Sequence, residues 1–413
     1  MMISSPWSSL ARLRLAKPGR IFSLTLRSYS TVPSPPLRGF TQIPRSLISI
    51  CGPDAAKFLN GIVTNKVSED TDLEGIYAGF LNAQGRVLSD SFIYPAHHST
   101  LLQNVIPKEY SGSLSYIIDC DPSVANNLVT MFRIHKLRSK IHVAPLESQQ
   151  FSLWHVWDDS EAVEQLPLSI VNRNVLNPYL PDLVGATDLR AGPDGYFGLR
   201  LILPADKTPL DALSRAFLEA GELEHASLQS YNVRRLLYGI PEGAQELTPS
   251  KALPLEYCMD FMGGVDFDKG CYQGQELTIR TYHHGMIRKR VVPVTLSLQE
   301  PQDYNLEYDP SALSGMTNPE LHLLRQSIYD ISSSSTPQPE LAPSPFQSQS
   351  PFGSRPKRRQ ESVGTLLTLI GNVGLALVRL EAFSNENARF VIKLDDKDSY
   401  VHVQGYQPFW WPQ

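Results

Sequence analysis

The chain has 413 residues and a formal charge of −5, from 37 Lys and Arg against 42 Asp and Glu. That length exceeds one hydrophobic core and calls for two or three domains; the mild acidity excludes non-specific nucleic-acid binding as a global property. Four scattered cysteines, Cys51, Cys120, Cys258 and Cys271, form no CxxC pair, which excludes a zinc knuckle, a thioredoxin-like dithiol and a cluster held by this chain alone.

Residues 1–31 contain no Asp or Glu, and the first acidic residue is Asp54. Leu10, Leu13, Ile21 and Leu24 stand among Arg12, Arg14, Lys17 and Arg20, a pattern able to form a basic amphipathic helix. Such an arm suits import towards a negative matrix potential, so residues 1–31 are expected to be a mitochondrial presequence cut near Arg27 to Thr31. The mitochondrial matrix is the expected location. The uncharged apolar stretch at residues 363–378 is shorter than the roughly 20 residues of a spanning helix, so no membrane span is expected.

Further along, Pro53 opens a helical pattern carrying Ala55, Phe58, Leu59, Ile62 and Val63. Residues 76–82 and 86–94 alternate as two strands of a hairpin. Thr208-Pro209 predicts one helix through Leu210, Leu213 and Phe217, closed by Gly221, and residues 227–238 predict another, ended by Gly239. Hairpins and helices without regular βαβ alternation indicate an α+β fold. After residue 286 the chain reads as all-β: residues 290–298 alternate, and residues 363–369 pair with 373–381 across Gly371-Asn372. A small barrel or sandwich is expected there, interrupted by a Ser/Pro/Gln-rich insert at 330–359 whose composition predicts disorder. The boundaries predicted are a first α+β lobe at 37–145, interleaving with the second allowed, a second α+β lobe at 146–285, and a C-terminal β lobe at 286–413.

No GxxxxGK[ST] loop, GxGxxG turn or HExxH helix occurs, and His283-His284 is a doublet without zinc-ligand spacing. The informative stretch is Asp268-Lys269-Gly270-Cys271-Tyr272-Gln273-Gly274-Gln275-Glu276. It sets a thiol between glycines with a Lys two residues before it, and a nearby ammonium favours thiolate, the nucleophile and soft-metal ligand. One cysteine cannot hold a cluster, so any ligand role is shared with a partner protein or a small thiol. A buried, structural cysteine is the competing reading.

This stretch resembles the KGCYxGQE signature of the YgfZ-type iron–sulfur assembly factors, a branch of the T-protein-like (aminomethyltransferase) folate-binding fold. Residues 231–246, YNVRRLLYGIPEGAQE, and Leu253-Pro254-Leu255-Glu256 also resemble that branch. So do residues 58–65, the hairpin segment 85–90, Leu137-Arg138-Ser139-Lys140, Asp188-Leu189-Arg190 and residues 374–379. The resemblance spans roughly residues 40–298 and 362–382 in consistent order. It implies a three-lobed ring with a central channel for a tetrahydrofolate-like ligand, and a role in maturing mitochondrial 4Fe–4S proteins. It also implies a transient iron–sulfur cluster shared with a partner, A-type iron–sulfur scaffold proteins being the expected partners, with Cys271 as the shared ligand and Lys269 beside it. Asp90, Arg190 and Arg200 become candidates for the folate, the arginines through bidentate contact with its glutamate tail; structural salt bridging competes with that role. Tyr272, Gln275 and Glu276 are the remaining candidate contacts. Two other functions stay open. A folate-dependent aminomethyltransferase would use Asp90, although Ser89 replaces the first carboxylate of that family's Asp-Asp pair. A pure interaction scaffold would need neither folate nor thiol.

Overall fold

The computed structural model describes residues 33–68, 74–160, 176, 183–192, 197–301, 305–332, 362–385, 388–394 and 399–412. The expected presequence, residues 1–31, and all but the first residues of the Ser/Pro-rich insert lie outside these. In chain order the strands are β1 Arg38–Gln42, β2 Ser46–Cys51, β3 Ile76–Leu81, β4 Val87–Pro95, β5 Ser115–Cys120, β6 His142–Leu146, β7 Phe151–Asp158 and β8 Val184–Thr187. They continue as β9 Leu199–Pro204, β10 Glu224–His225, β11 Lys289–Ser297, β12 Ser327–Asp330, β13 Gly364–Ile370, β14 Val373–Arg379, β15 Phe390–Lys393 and β16 Tyr400–Gly405.

They form two five-stranded sheets, β3-β4-β5-β2-β6 and β10-β1-β7-β9-β8, and a closed six-stranded barrel, β11-β14-β13-β12-β15-β16. The α+β class and the C-terminal barrel are as the sequence indicates. The lobes interleave: β1 precedes the whole first sheet in sequence yet pairs antiparallel with β7 of the second, Phe40 opposite Val156. The predicted hairpins are β3–β4, tied by the Asn82 side chain accepting from the Gln84 and Arg86 amides at 3.0 Å, and β13–β14, turning at Gly371. Closing the sheet into a barrel removes the exposed edges of an all-β lobe.

The first sheet is covered by helices Ala55–Asn60 and Ala125–His135, with Phe58 and Phe132 meeting edge to face at 6.3 Å. The helix expected from Thr208 breaks in two, Pro209–Ala212 and Arg215–Glu219. Leu213 turns extended so that it can bury, and the Ser214 hydroxyl restarts the helix by accepting from the Phe217 amide at 3.2 Å. The helix Leu228–Tyr238 begins at the Ser227 cap and ends at Gly239, as expected. One apolar cluster joins the lobes: Tyr77 and Phe92 of the first sheet, Leu153 and Ile202 of the second, and Val291 and Leu375 of the barrel share it. The seam between sheets is therefore core, and polar groups within it must find partners there.

Candidate functional site

Two places concentrate the chemistry: a buried ionic network in the seam, and the loop that carries Cys271. The network is built by strands β4, β5 and β9, which bring Asp90, Asp119 and Arg200 to the seam, and by connecting segments that bring Arg45, Asp188, Arg190 and Glu242. Arg200 on β9 reaches across to the first sheet, Nη1 donating to Asp119 Oδ2 at 2.7 Å, and Nη2 donates to Glu242 Oε2 at 2.5 Å. Arg190 donates to Asp188 Oδ2 at 2.7 Å and Glu242 Oε2 at 2.8 Å. Arg45 donates to Asp119 Oδ1 at 2.7 Å and Asp90 Oδ2 at 3.2 Å. Three guanidiniums thus neutralise most of four carboxylates, and the Tyr231 hydroxyl donates to Glu242 at 3.0 Å. Burial alone would raise the Glu242 carboxyl, but Arg200 and Arg190 pull it well below the ordinary range. Arg200 and Arg190 resist burial in turn and are held charged by these carboxylates.

His155 sits beside this network, fully buried among Phe197, Tyr231 and Trp157. Its Nε2 stands 3.6 Å from Asp188 Oδ2, too long for a hydrogen bond, and both ring nitrogens lack a partner. Burial pushes the imidazole down to about 4 against the pull of Asp188, so it is neutral near pH 7.

Asp90, Arg190 and Arg200 are therefore together in the seam, as a folate site would require. Yet each is engaged: Arg190 and Arg200 have no exposure, and Asp90 is held by Arg45 and by the Gly243 amide at 3.2 Å. As they stand, the three side chains do not fit a tetrahydrofolate, because a glutamate tail would have to displace Glu242 or Asp188 from both arginines. Salt bridging, the competing reading, describes these residues. Glu242, Asp188, Asp119 and Arg45 were missed as members; Glu242 and Tyr231 lay within the YNVRRLLYGIPEGAQE stretch, which was the available signal.

The Cys271 loop, expected in the second lobe, packs on the first. The Gln273 amide donates to Gly61 O at 3.0 Å, and its side chain donates to Leu81 O at 3.1 Å. Gly274 has φ +78°, and a Cβ there would collide with the Asn82 carbonyl and lie 2.9 Å from Leu81 Cβ. Gly85 of the hairpin meets the Gly274 carbonyl in the same close approach. Here two glycines are needed because backbone meets backbone. Gly270 has open space around it.

Lys269 does not serve the thiol as expected. Its Nζ donates to Val63 O at 2.7 Å and Asn65 O at 2.6 Å and lies 5.0 Å above the Tyr272 ring, bracing the loop. Burial lowers its pKa to about 8, with Asp266 opposing. Tyr272 is buried in the core, and the Gln275 side chain accepts from the Tyr272 amide at 3.1 Å, so both shape the loop. Glu276 projects into solvent near Arg280, 3.9 Å away. Cys271 itself is exposed, whereas Cys51, Cys120 and Cys258 are buried. It opens on a surface pocket of about 360 Å³ lined by Lys57, Asn60, Lys66, Asp268 and Lys269. Lys57 and Lys66 were not singled out from sequence, although both flank the 58–65 stretch. An exposed thiol in a largely cationic pocket is equipped to bind a soft metal together with ligands from another molecule. Among the described residues, no group of three or more His, Cys, Asp or Glu is placed to hold a metal ion.

Comparison with known proteins bears on this geometry. The family described as CAF17, C-terminal beta-barrel domain, matches residues 288–413. A protein named iron-sulfur cluster assembly factor IBA57 homolog, mitochondrial, from Coccidioides immitis is 38% identical over 362 residues, covering 86% of this chain and 74% of that protein. The chain belongs to the IBA57 family. A member with the same name from Aspergillus oryzae is 34% identical, covering 95% of this chain and 81% of its own. The fold of this IBA57-family chain is similar to that of glycine cleavage system aminomethyltransferase T from Bartonella henselae, with a TM-score of 0.55 over 90% of this chain and 86% of that one. Identity there is 13%, so the likeness concerns the fold alone.

Proposed function

We propose that this chain is an accessory factor for maturing 4Fe–4S proteins in the mitochondrial matrix, in which Cys271 supplies one thiolate to a transient cluster. The other ligands come from a partner of the A-type scaffold class. The observation that carries the reading is that Cys271, alone of the four cysteines, is exposed, and that it opens on a lysine-lined pocket. The names of the family's members supply the assembly role and the compartment, and the acid-free arm at residues 1–31 agrees with the compartment.

What the chain's own residues do is hold the thiol outward. Lys269 and Gln273 fasten the loop to Val63, Asn65, Gly61 and Leu81, and the Gly85–Gly274 approach fixes its height above the hairpin. A tetrahydrofolate-like ligand belongs to the wider expectation for this fold, but no step of the proposal runs through it, given how Asp90, Arg190 and Arg200 are engaged. The aminomethyltransferase reading meets the same obstacle at Asp90, whose carboxylate is committed to Arg45 and Gly243.

The test is depletion of the protein, followed by re-expression of wild type or Cys271→Ser. Depletion lowers matrix 4Fe–4S enzyme activities and spares 2Fe–2S proteins; Cys271→Ser restores them only in part while keeping its fold. Full restoration by Cys271→Ser would leave a scaffold that needs no thiol, and unchanged 4Fe–4S activities on depletion would remove the assembly role.

A further inference from the structure

The C-terminal end of the helix Ala125–His135 carries a surface that the thiol loop does not account for. From residue 122 to 146 the sequence has no acidic residue, but it has Arg133, Lys136, Arg138 and Lys140. None of these four forms an ion pair among the described residues. Between them stand Ile134, 64% exposed, and Leu137, 87% exposed. Leu137 has φ +46°, the left-handed conformation in which helices usually end on glycine. That conformation is unfavourable for an L side chain, and the near-complete solvation of the leucine adds to the disadvantage. Cations in a last turn complement the helix dipole, but the dipole gives no reason for an exposed, strained leucine.

This surface adjoins the helix that lines the thiol pocket. Asp54 accepts from the Lys140 amide at 2.7 Å and stands at the start of the helix Ala55–Asn60. That helix packs Phe58 on Phe132 and presents Lys57 and Asn60 to the pocket beside Cys271. Aliphatic anchors, unpaired cations and the exposed thiol thus share one short helix as their common support.

We propose that the face running from Leu137 across Lys57 to Cys271 docks a protein partner whose acidic rim surrounds an apolar notch. The partner's chemistry follows from complementarity: carboxylates meet the four cations, and the notch takes Ile134 and Leu137. A second copy of this chain is the wrong occupant, because a two-fold contact would set this basic face against itself. A bilayer is the wrong occupant too, since two aliphatic side chains bury little area in lipid and a lipid surface brings no ligand to the thiol. The inference rests on the assembly reading and adds where, and by what chemistry, its partner binds.

The test places a diazirine photo-crosslinking residue at position 137 of the full chain, in cells depleted of the native protein. The expected product is an adduct to another protein through a peptide of net negative charge. Its yield falls at least about tenfold when Arg133→Glu and Lys136→Glu are combined. Separately, Leu137→Gly, which relieves the left-handed strain and cannot unfold the helix end, lowers the ability of the chain to restore 4Fe–4S activity. No adduct, an adduct insensitive to charge reversal, or an adduct to lipid or to a second copy overturns the proposal. The 4Fe–4S activities of the same depleted cells decide the assembly reading separately, so the two failures are distinguishable.

Discussion

Arg200→Met removes one of the three guanidiniums of the seam and leaves two, Arg45 and Arg190, against Asp90, Asp119, Asp188 and Glu242. Every carboxylate keeps one arginine: Arg45 holds Asp90 and Asp119, and Arg190 holds Asp188 and Glu242. What is lost is the bridge from β9 to Asp119, the 3.2 Å contact with Asp188 and the second partner of Glu242. Breaking a buried pair from one side costs about 3–5 kcal/mol, here because two guanidiniums are left to offset four buried carboxylates. Methionine fills most of the arginine stem's space, so the lower half of that range is expected. Denaturant unfolding at pH 7 measures it. Acid sensitivity should move with it: the Glu242 carboxyl is held low mainly by Arg200 once burial is overcome, and the stability this gives is present above its unfolded pKa and lost as pH falls. In the variant the folded-state pKa of Glu242 rises towards its unfolded value, so this loss is smaller and is complete at a higher pH. The double variant with Glu242→Leu should recover part of the stability, since the two residues couple directly and coupled pairs deviate from additivity by about 0.5–3 kcal/mol. An arginine kept in readiness for a ligand would behave in the opposite way, its removal relieving an unpaired buried cation. A loss below about 1 kcal/mol, or a gain, would refute the structural account of the network.

His155, held at about 4 by burial, leaves the unfolded state binding the extra proton between pH 6.5 and 4. Stability is therefore lost as pH falls through that window, by about 3 kcal/mol, and His155→Phe should flatten the slope; an unchanged slope excludes His155 as its source. Gly274→Ala should destabilise by about 2–5 kcal/mol, from left-handed strain plus collision with the hairpin. Gly270→Ala, with open space around it, should stay within about 0.5 kcal/mol, and equal effects at the two positions would contradict the geometry. Under native conditions Cys271 should be the first thiol to alkylate, because burial shields Cys51, Cys120 and Cys258 and pushes their pKa values up to about 11, 12 and 12; mass spectrometry showing another cysteine labelled first would refute this.

Local patterning determined a good deal of this protein. Period-two alternation and turn residues located both hairpins and the barrel strand β11, and the Ser227 and Gly239 caps bounded the helix Leu228–Tyr238, because these signals act within a few residues. The KGCYQGQE stretch singled out Cys271, since the polar flanking residues keep that loop at the surface. Tertiary structure alone decided the rest. Nothing local tells that β1 leaves its sequence neighbours for β7, because pairing partners are chosen by burial across more than a hundred residues. The fates of Lys269, Arg190 and Arg200 were equally non-local. A lysine two residues from a thiol was expected to act on it, but its ammonium found two carbonyls about two hundred positions away in sequence. By their type the arginines suit a ligand's carboxylate or a salt bridge equally, and the partners that decide between these, Asp119 and Glu242, arrive from another sheet and another loop. A sequence shows which side chains carry charge; only the fold brings together the charges that must satisfy one another once water is excluded.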